Sequence, residues 1–166
     1  MSNKRQEEFN SIVLDIINNK KFNKLKKELH HGITRFEHSM RVARWTYRIC
    51  NLLKIKNRDD IIKASLLHDF YINDDLISNN GVSKLGEHPK AALENSKKYF
   101  HITDLQADII KKHMFPCNLD IPTYKESWLV SCIDKVVGAY EIIKFKSALY
   151  VGIYALFTFE IIKLQR

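Results

Sequence analysis

Apolar residues recur at three- and four-residue intervals along most of this chain, and little interrupts them: its 166 residues include five Gly and three Pro. That period lays apolar side chains along one stripe of a helix, and the scarcity of breakers lets helices run. The expectation is a single compact, helix-rich globular domain. The length suffices to bury one core without disulfides or an obligatory metal. At 45% hydrophobic and 28% charged, the composition excludes disorder as the main state, and equally a collagen-like or linker-dominated chain.

Capping and breaking residues mark the helix ends. Phe9, Ile12, Val13, Ile16 and Ile17 predict a helix over 5–18 within an N-terminal packing segment, 1–30. Thr34 followed by Glu37 forms a capping box, so a helix runs from there to about 53 with His38 on its first turns. Another begins near 57, has Asp59 and Asp60 favourably placed in its first turn, and leads through Ile61, Ile62, Leu66 and Leu67 to His68 and Asp69. A loop-like stretch covers 73–86. Pro89 suits a first helical position, so His88 and Pro89 open the next helix, with 91–100 as its body. Thr103 and Gln106 make a second capping box, for a helix that reaches His113 and that Pro116 stops.

A strongly apolar helix is predicted over 125–145, with Asp134 in its middle. Residues 147–159 are uncharged and rich in Tyr, Phe, Leu and Ala, but fall short of the roughly 20 residues a bilayer-spanning helix needs. No transmembrane segment is expected. Residues 147–166 are assigned to an apolar C-terminal helix packed on the same domain. Left uncovered, Tyr150, Tyr154 and Phe157 would instead make a contact for a membrane surface or a second copy, giving a homo-oligomer.

Lys and Arg number 27 against 19 Asp and Glu, a net charge of +8. Such a field attracts anions, phosphates foremost, unless it serves only to solvate the surface. Lys20, Lys21, Lys24, Lys26 and Lys27 would give a nucleic acid salt-dependent, sequence-independent contacts. Neither an aromatic-interleaved motif nor a helix-turn-helix pattern accompanies them, so no specific nucleic-acid partner is expected. Cys50, Cys117 and Cys132 are odd in number, form no C-x-x-C pair and follow no secretory signal. A reduced, cytoplasmic protein is the expectation.

The chemistry lies in polar residues set among apolar ones. Asp134 is flanked by Val130, Ile133, Val136 and Val137, so its carboxylate is salt-bridged, protonated or bound to a cation. His68 and Asp69 end an apolar helix, where both can turn toward one ion. His38, then His68 with Asp69, then Asp134 lie on three separate predicted helices that could surround one site.

That series, with R-F-E-H-S-M-R-V-A over 35–43, A-S-L-L-H-D-F over 64–70 and I-D-K-V over 133–136, resembles the HD superfamily of metal-dependent phosphohydrolases, in particular its small stand-alone bacterial members. The resemblance covers roughly 31–145, and the core domain is drawn at 31–146. It implies an all-α fold, a single compact bundle of five or more helices, and a metal held by His38, His68, Asp69 and Asp134. Many members add a second metal through further histidines, bridged by the Asp of the pair; His88 and His113 occupy that interval. Outside this context His88 reads as a neighbour of a helix N-terminus and His113 as a partner of a helix dipole.

His31 and Gly32 resemble a His-Gly element that faces the site in some bacterial members. His31, Arg41 and Lys135 are the candidates for substrate binding, Arg41 and Lys135 being equally suited to structural ion pairs. Ile72 stands where the nucleotidase-like branch has the Glu of H-D-x-x-E, and the chain lacks the H-D-x-G-K and G-Y-P elements of the cyclic dinucleotide phosphodiesterases. The resemblance implies a phosphohydrolase acting on an ester or anhydride of a nucleotide or related small phosphorylated molecule. Two divalent transition metals, Fe, Mn, Co or Ni, are expected, or one if His88 and His113 are not ligands. A metal-holding module that senses a nucleotide without catalysis is the alternative.

Overall fold

Among the described residues six α-helices carry the architecture, and the order in which they pack brings together the polar residues that lie on three of the predicted helices. The computed structural model describes residues 3–30, 32–76 and 84–164; for residues 30, 84–86 and 151–164 the description is of the backbone. Helix α1 spans Asn3–Ile17 and buries Phe9, Ile12, Val13 and Ile16, the stripe its spacing predicts. A 3-10 turn, Phe22–Lys27, tucks Phe22 and Leu25 into the same core. A two-residue antiparallel ladder follows, β1 (Leu29–His30) against β2 (Ile33–Thr34), small enough to leave the protein all-α.

Helix α2, Arg35–Leu52, starts at Thr34, whose hydroxyl accepts from the Glu37 N–H while the Glu37 side chain reaches back to the Thr34 N–H. Helices α3 (Arg58–Leu67), α4 (Lys84–Tyr99) and α5 (Asp104–Lys112) follow, α5 opening on the second capping box at Thr103 and Gln106. Helix α6 is Lys125–Leu164. Helix α3 lies at the centre, with α2 on one side and α5 on the other, and α6 lies against both α2 and α5. Tyr47, Cys50, Ile61, Ile62, Leu66, Phe70, Ile109, Ile110 and Val130 fill the space between them. All three cysteines are free; Cys50 is buried, Cys117 and Cys132 exposed.

Two boundaries differ from the sequence expectation. Helix α4 begins at Lys84, so Pro89 lies inside it and not at its first position. As the sixth residue of the helix, proline forfeits the N–H that would reach back to residue 85 and crowds that residue's carbonyl. The two C-terminal helices expected at 125–145 and 147–159 are one helix of 40 residues, about 60 Å long. Lys144 and Lys146 interrupt the apolar run without interrupting the helix, because Lys is a good helix former and no proline separates the halves. Ile143, Phe145, Leu149 and Tyr150 are exposed on it. Among the described residues no helix is long and apolar enough to cross a membrane.

Helix α6 is fixed at both the start and the middle of its packed part. Near its middle the Phe145 ring lies over Gly32, where a Cβ would come within 2.2 Å of it, and Gly32 has φ +86°, so the turn between β1 and β2 needs glycine for space and for backbone conformation. At its start, Asp108 of α5 accepts from the Thr123 N–H (3.0 Å), the Tyr124 N–H (3.4 Å) and the Ser127 hydroxyl (2.7 Å), and pairs with Lys112 (2.6 Å). Burial works to raise the Asp108 pKa, but Lys112, Ser127 and Thr123 outweigh it and bring it to about 2. A depressed carboxylate pKa gives stability above its unfolded value near 4, lost as pH falls toward 2. Asp108→Ala is therefore expected to cost about 1–2 kcal/mol at pH 7, or roughly 3–6 °C in Tm. The gap between variant and parent should narrow below pH 4; a gap constant down to pH 3 would contradict this.

Candidate metal centre

The polar residues of the sequence series sit at helix positions that hold them still. His38 lies one turn inside α2, fixed by the capping box ahead of it. His68 and His113 are the C-cap residues of α3 and α5, where the last carbonyls of a helix lack backbone partners. The Nδ1–H of His68 donates to the Ser65 carbonyl at 2.7 Å, and that of His113 to the Ile110 carbonyl at 2.8 Å. A carbonyl can only accept, so Nδ1 carries a proton in both rings, and in the neutral ring the lone pair is on Nε2. Asp69 follows His68, Asp134 lies two to three turns into α6, and His88 is in α4. All six residues are buried, none more than 8% exposed.

They converge. The Nε2 of His38 is 3.0 Å from Asp134 Oδ1, and the Nε2 of His68 is 3.4 Å from the same oxygen and 3.7 Å from Asp69 Oδ2. The other oxygen of Asp69 faces elsewhere: Oδ1 is 3.5 Å from His113 Nε2 and 3.7 Å from His88 Nε2, and those two nitrogens are 3.2 Å apart. Two groups, His38 with His68 and Asp134, and His68 with Asp69 and His113, each bring three ligand atoms within 4.8 Å of one another.

These residues fit a cation. His68 Nε2 and Asp69 Oδ1 are fully buried with no hydrogen-bond partner. An imidazole lone pair facing a carboxylate oxygen inside a protein is repulsive until a positive charge lies between them. Nitrogen and oxygen donors without thiolate suit a divalent transition metal, and no cysteine joins either group. The electrostatics agree. Burial opposes charging the His38 ring, yet the carboxylates of Asp134 and Glu141, with Asp69 behind them, outweigh it and push the ring up to about 10. Burial likewise opposes ionised Asp69 and Asp134, but positive charge on the surrounding rings, which protons supply in the absence of a cation, holds both well below the usual carboxylate range.

The remaining candidates surround this cluster. Lys135, about one-third exposed, places Nζ 2.9 Å from Asp134 Oδ2 and 2.7 Å from the His113 carbonyl, at the rim of the cluster. Arg41 pairs with Glu141 at 2.5 Å. His31 lies outside the described residues. Sequence reasoning missed Glu141, whose buried carboxylate also accepts from His38 Nδ1 at 2.8 Å. Its signal was there: an isolated acid seven residues beyond Asp134, on the same face of an apolar helix. Also missed was a stack behind His88, in which the Tyr71 ring lies on the imidazole at 5.2 Å between centroids and the buried Arg35 guanidinium covers the Tyr71 ring at 3.9 Å. Arg35 is held there by the Tyr71 carbonyl at 3.0 Å.

No curated protein and no solved structure matches the chain. The family model of the HD domain matches residues 35–139, well over half its length and the span that carries His38, His68, Asp69, His88, His113 and Asp134. The chain belongs to the HD domain family.

Proposed function

We propose that the protein is a metal-dependent phosphohydrolase that cleaves a phosphate ester or anhydride, with a nucleotide or related small phosphorylated molecule as substrate. The observation that carries this reading is Asp69, whose two carboxylate oxygens turn toward different histidines, Oδ2 toward His68 and Oδ1 toward His88 and His113. A carboxylate so placed would bridge two ions, one held with His38, His68 and Asp134, the other with His88 and His113. Bound divalent metals, Fe, Mn, Co or Ni, supply Lewis acidity that lowers the pKa of water and offsets charge on phosphoryl and leaving oxygens.

The protein's own residues do the rest. The backbone carbonyls of Ser65 and Ile110 keep the lone pairs of His68 and His113 inward, and Lys135 keeps Asp134 oriented while presenting an ammonium at the rim, where a phosphoryl oxygen would meet it. His31 is proposed to contact the substrate as well. The excess of 27 basic over 19 acidic residues draws anionic substrates toward the cluster.

A panel of phosphomonoesters, phosphodiesters and nucleoside polyphosphates, assayed with Mn-, Fe-, Co- and Ni-loaded protein, tests the reading. Turnover of at least one class, abolished by chelation and restored by metal, is expected. Loaded protein that is inert across the panel yet gains several degrees in Tm from a nucleotide would replace the enzyme with a sensor.

A further inference from the structure

We propose that Glu141, anchored by Arg41, is a positioning residue that fixes His38 with its Nε2 lone pair toward the cation, an inference that rests on the metal-centre reading above. The need for it follows from where His38 lies. His68 and His113 sit at helix C-termini, where the carbonyls of Ser65 and Ile110 have no helical partner and are free to accept from Nδ1. His38 is near the N-terminus of α2, where every carbonyl is taken by an N–H one turn on. The helix offers it no acceptor, and a side chain from another element must serve.

Helix α6 supplies that side chain. Asp134 and Glu141 are seven residues apart, two turns along one face, and the His38 ring is held between them, Nε2 at 3.0 Å from Asp134 and Nδ1 at 2.8 Å from Glu141. An ionised carboxylate only accepts, so Nδ1 keeps the proton and Nε2 is the nitrogen available to a metal. Glu141 is itself fixed. Its other oxygen pairs with Arg41, which lies three residues beyond His38 on α2, and the carboxylate is 2% exposed. Helix α2 thus contributes a ligand and an anchor, and α6 a ligand and an orienter, in one closed array. Arg41 neutralises Glu141, so the carboxylate can orient His38 without adding a net negative charge to the interior.

The test is calorimetric titration of Mn²⁺ into metal-free parent and Glu141→Gln, paired with proton NMR of the zinc-loaded forms, zinc serving as a diamagnetic probe. Outer partners of metal-binding histidines change affinity by about 10–100-fold. Glu141→Gln is expected to weaken one equivalent by that factor and to shift or lose the downfield Nδ1–H resonance of His38, a signature that a purely structural role would not move. Unchanged affinity with an unchanged resonance overturns the proposal and leaves the metal centre standing. Parent protein that binds neither ion overturns the metal-centre reading and the proposal with it. Should Glu141→Gln fail to fold, Arg41→Ala, at a side chain about one-third exposed, carries the same titration: severalfold weaker binding is expected, and unchanged affinity overturns the proposal.

Discussion

Asp69→Ala is expected to lose both metal equivalents and to lower phosphohydrolase turnover by at least about a thousandfold, some 4 kcal/mol of transition-state stabilisation. The two oxygens of Asp69 face different histidines, so its removal would deprive both proposed ions of a negatively charged donor at once. The remaining imidazoles would then face a divalent cation with the charge of Asp134 alone close by. The fold should survive. Asp69 ends no helix by itself, and its ionised form is held in the interior only by the imidazoles around it. Removing a buried charge whose partners are titratable rings costs less than breaking a permanent ion pair. Circular dichroism of the metal-free variant should match that of the parent, while its metal content and turnover fall together. Full turnover in Asp69→Ala would remove the bridge from the account.

His113→Ala and His88→Ala are expected to separate the two ions. Both nitrogens approach Oδ1 of Asp69 and lie 3.2 Å from each other, whereas His38 and His68 meet at Oδ1 of Asp134. Each substitution should therefore lose about one equivalent and leave the other. The turnover loss should be large, at least about a hundredfold, since one of the two proposed ions, and the Lewis acidity it would supply, would be gone. The two variants need not behave alike. His113 is the more tightly built residue, its Nδ1 tied to the Ile110 carbonyl and its backbone carbonyl to Ser131 and Lys135, so its loss should also lower Tm. His88 is held by the Tyr71 ring stacked on it and the Arg35 guanidinium beyond. Unchanged stoichiometry in both variants would reduce the centre to a single ion.

How much of this was legible before the fold was known depends on the kind of signal. Local chemistry reads well: the capping boxes at Thr34 and Thr103 are satisfied by neighbours within one turn, the apolar stripe of α1 needs only a core to face, and the structure has them where the sequence places them. The cluster read well for a different reason. His38, His68, Asp69 and Asp134 stand out because ionisable groups among Val, Ile and Leu need a partner, whatever the fold. Helix continuity read poorly. Lys144 and Lys146 looked like a break in α6 because they end an apolar run, but charge on an exposed helix face has no power to end a helix, and residue 84 looked like loop because Gly86 and Pro89 flank it.

Tertiary pairing was the least legible. Nothing local marks Glu141 as the acceptor for a ring 103 positions earlier, or Arg41 as its anchor, and both became visible only when α2 and α6 were laid together. Lys135 shows the same limit. Its neighbour Asp134 was plain in the sequence, while the carbonyl of His113, its other partner, needed α5 to end beside α6.

The measurement that bears most directly on the central claim is metal content per chain, by elemental analysis of protein purified without an affinity tag and under anaerobic conditions. The account predicts about two equivalents of a divalent transition metal, held by nitrogen and carboxylate donors. Protein that carries none, and takes up none when Mn, Fe, Co or Ni is supplied, would contradict it.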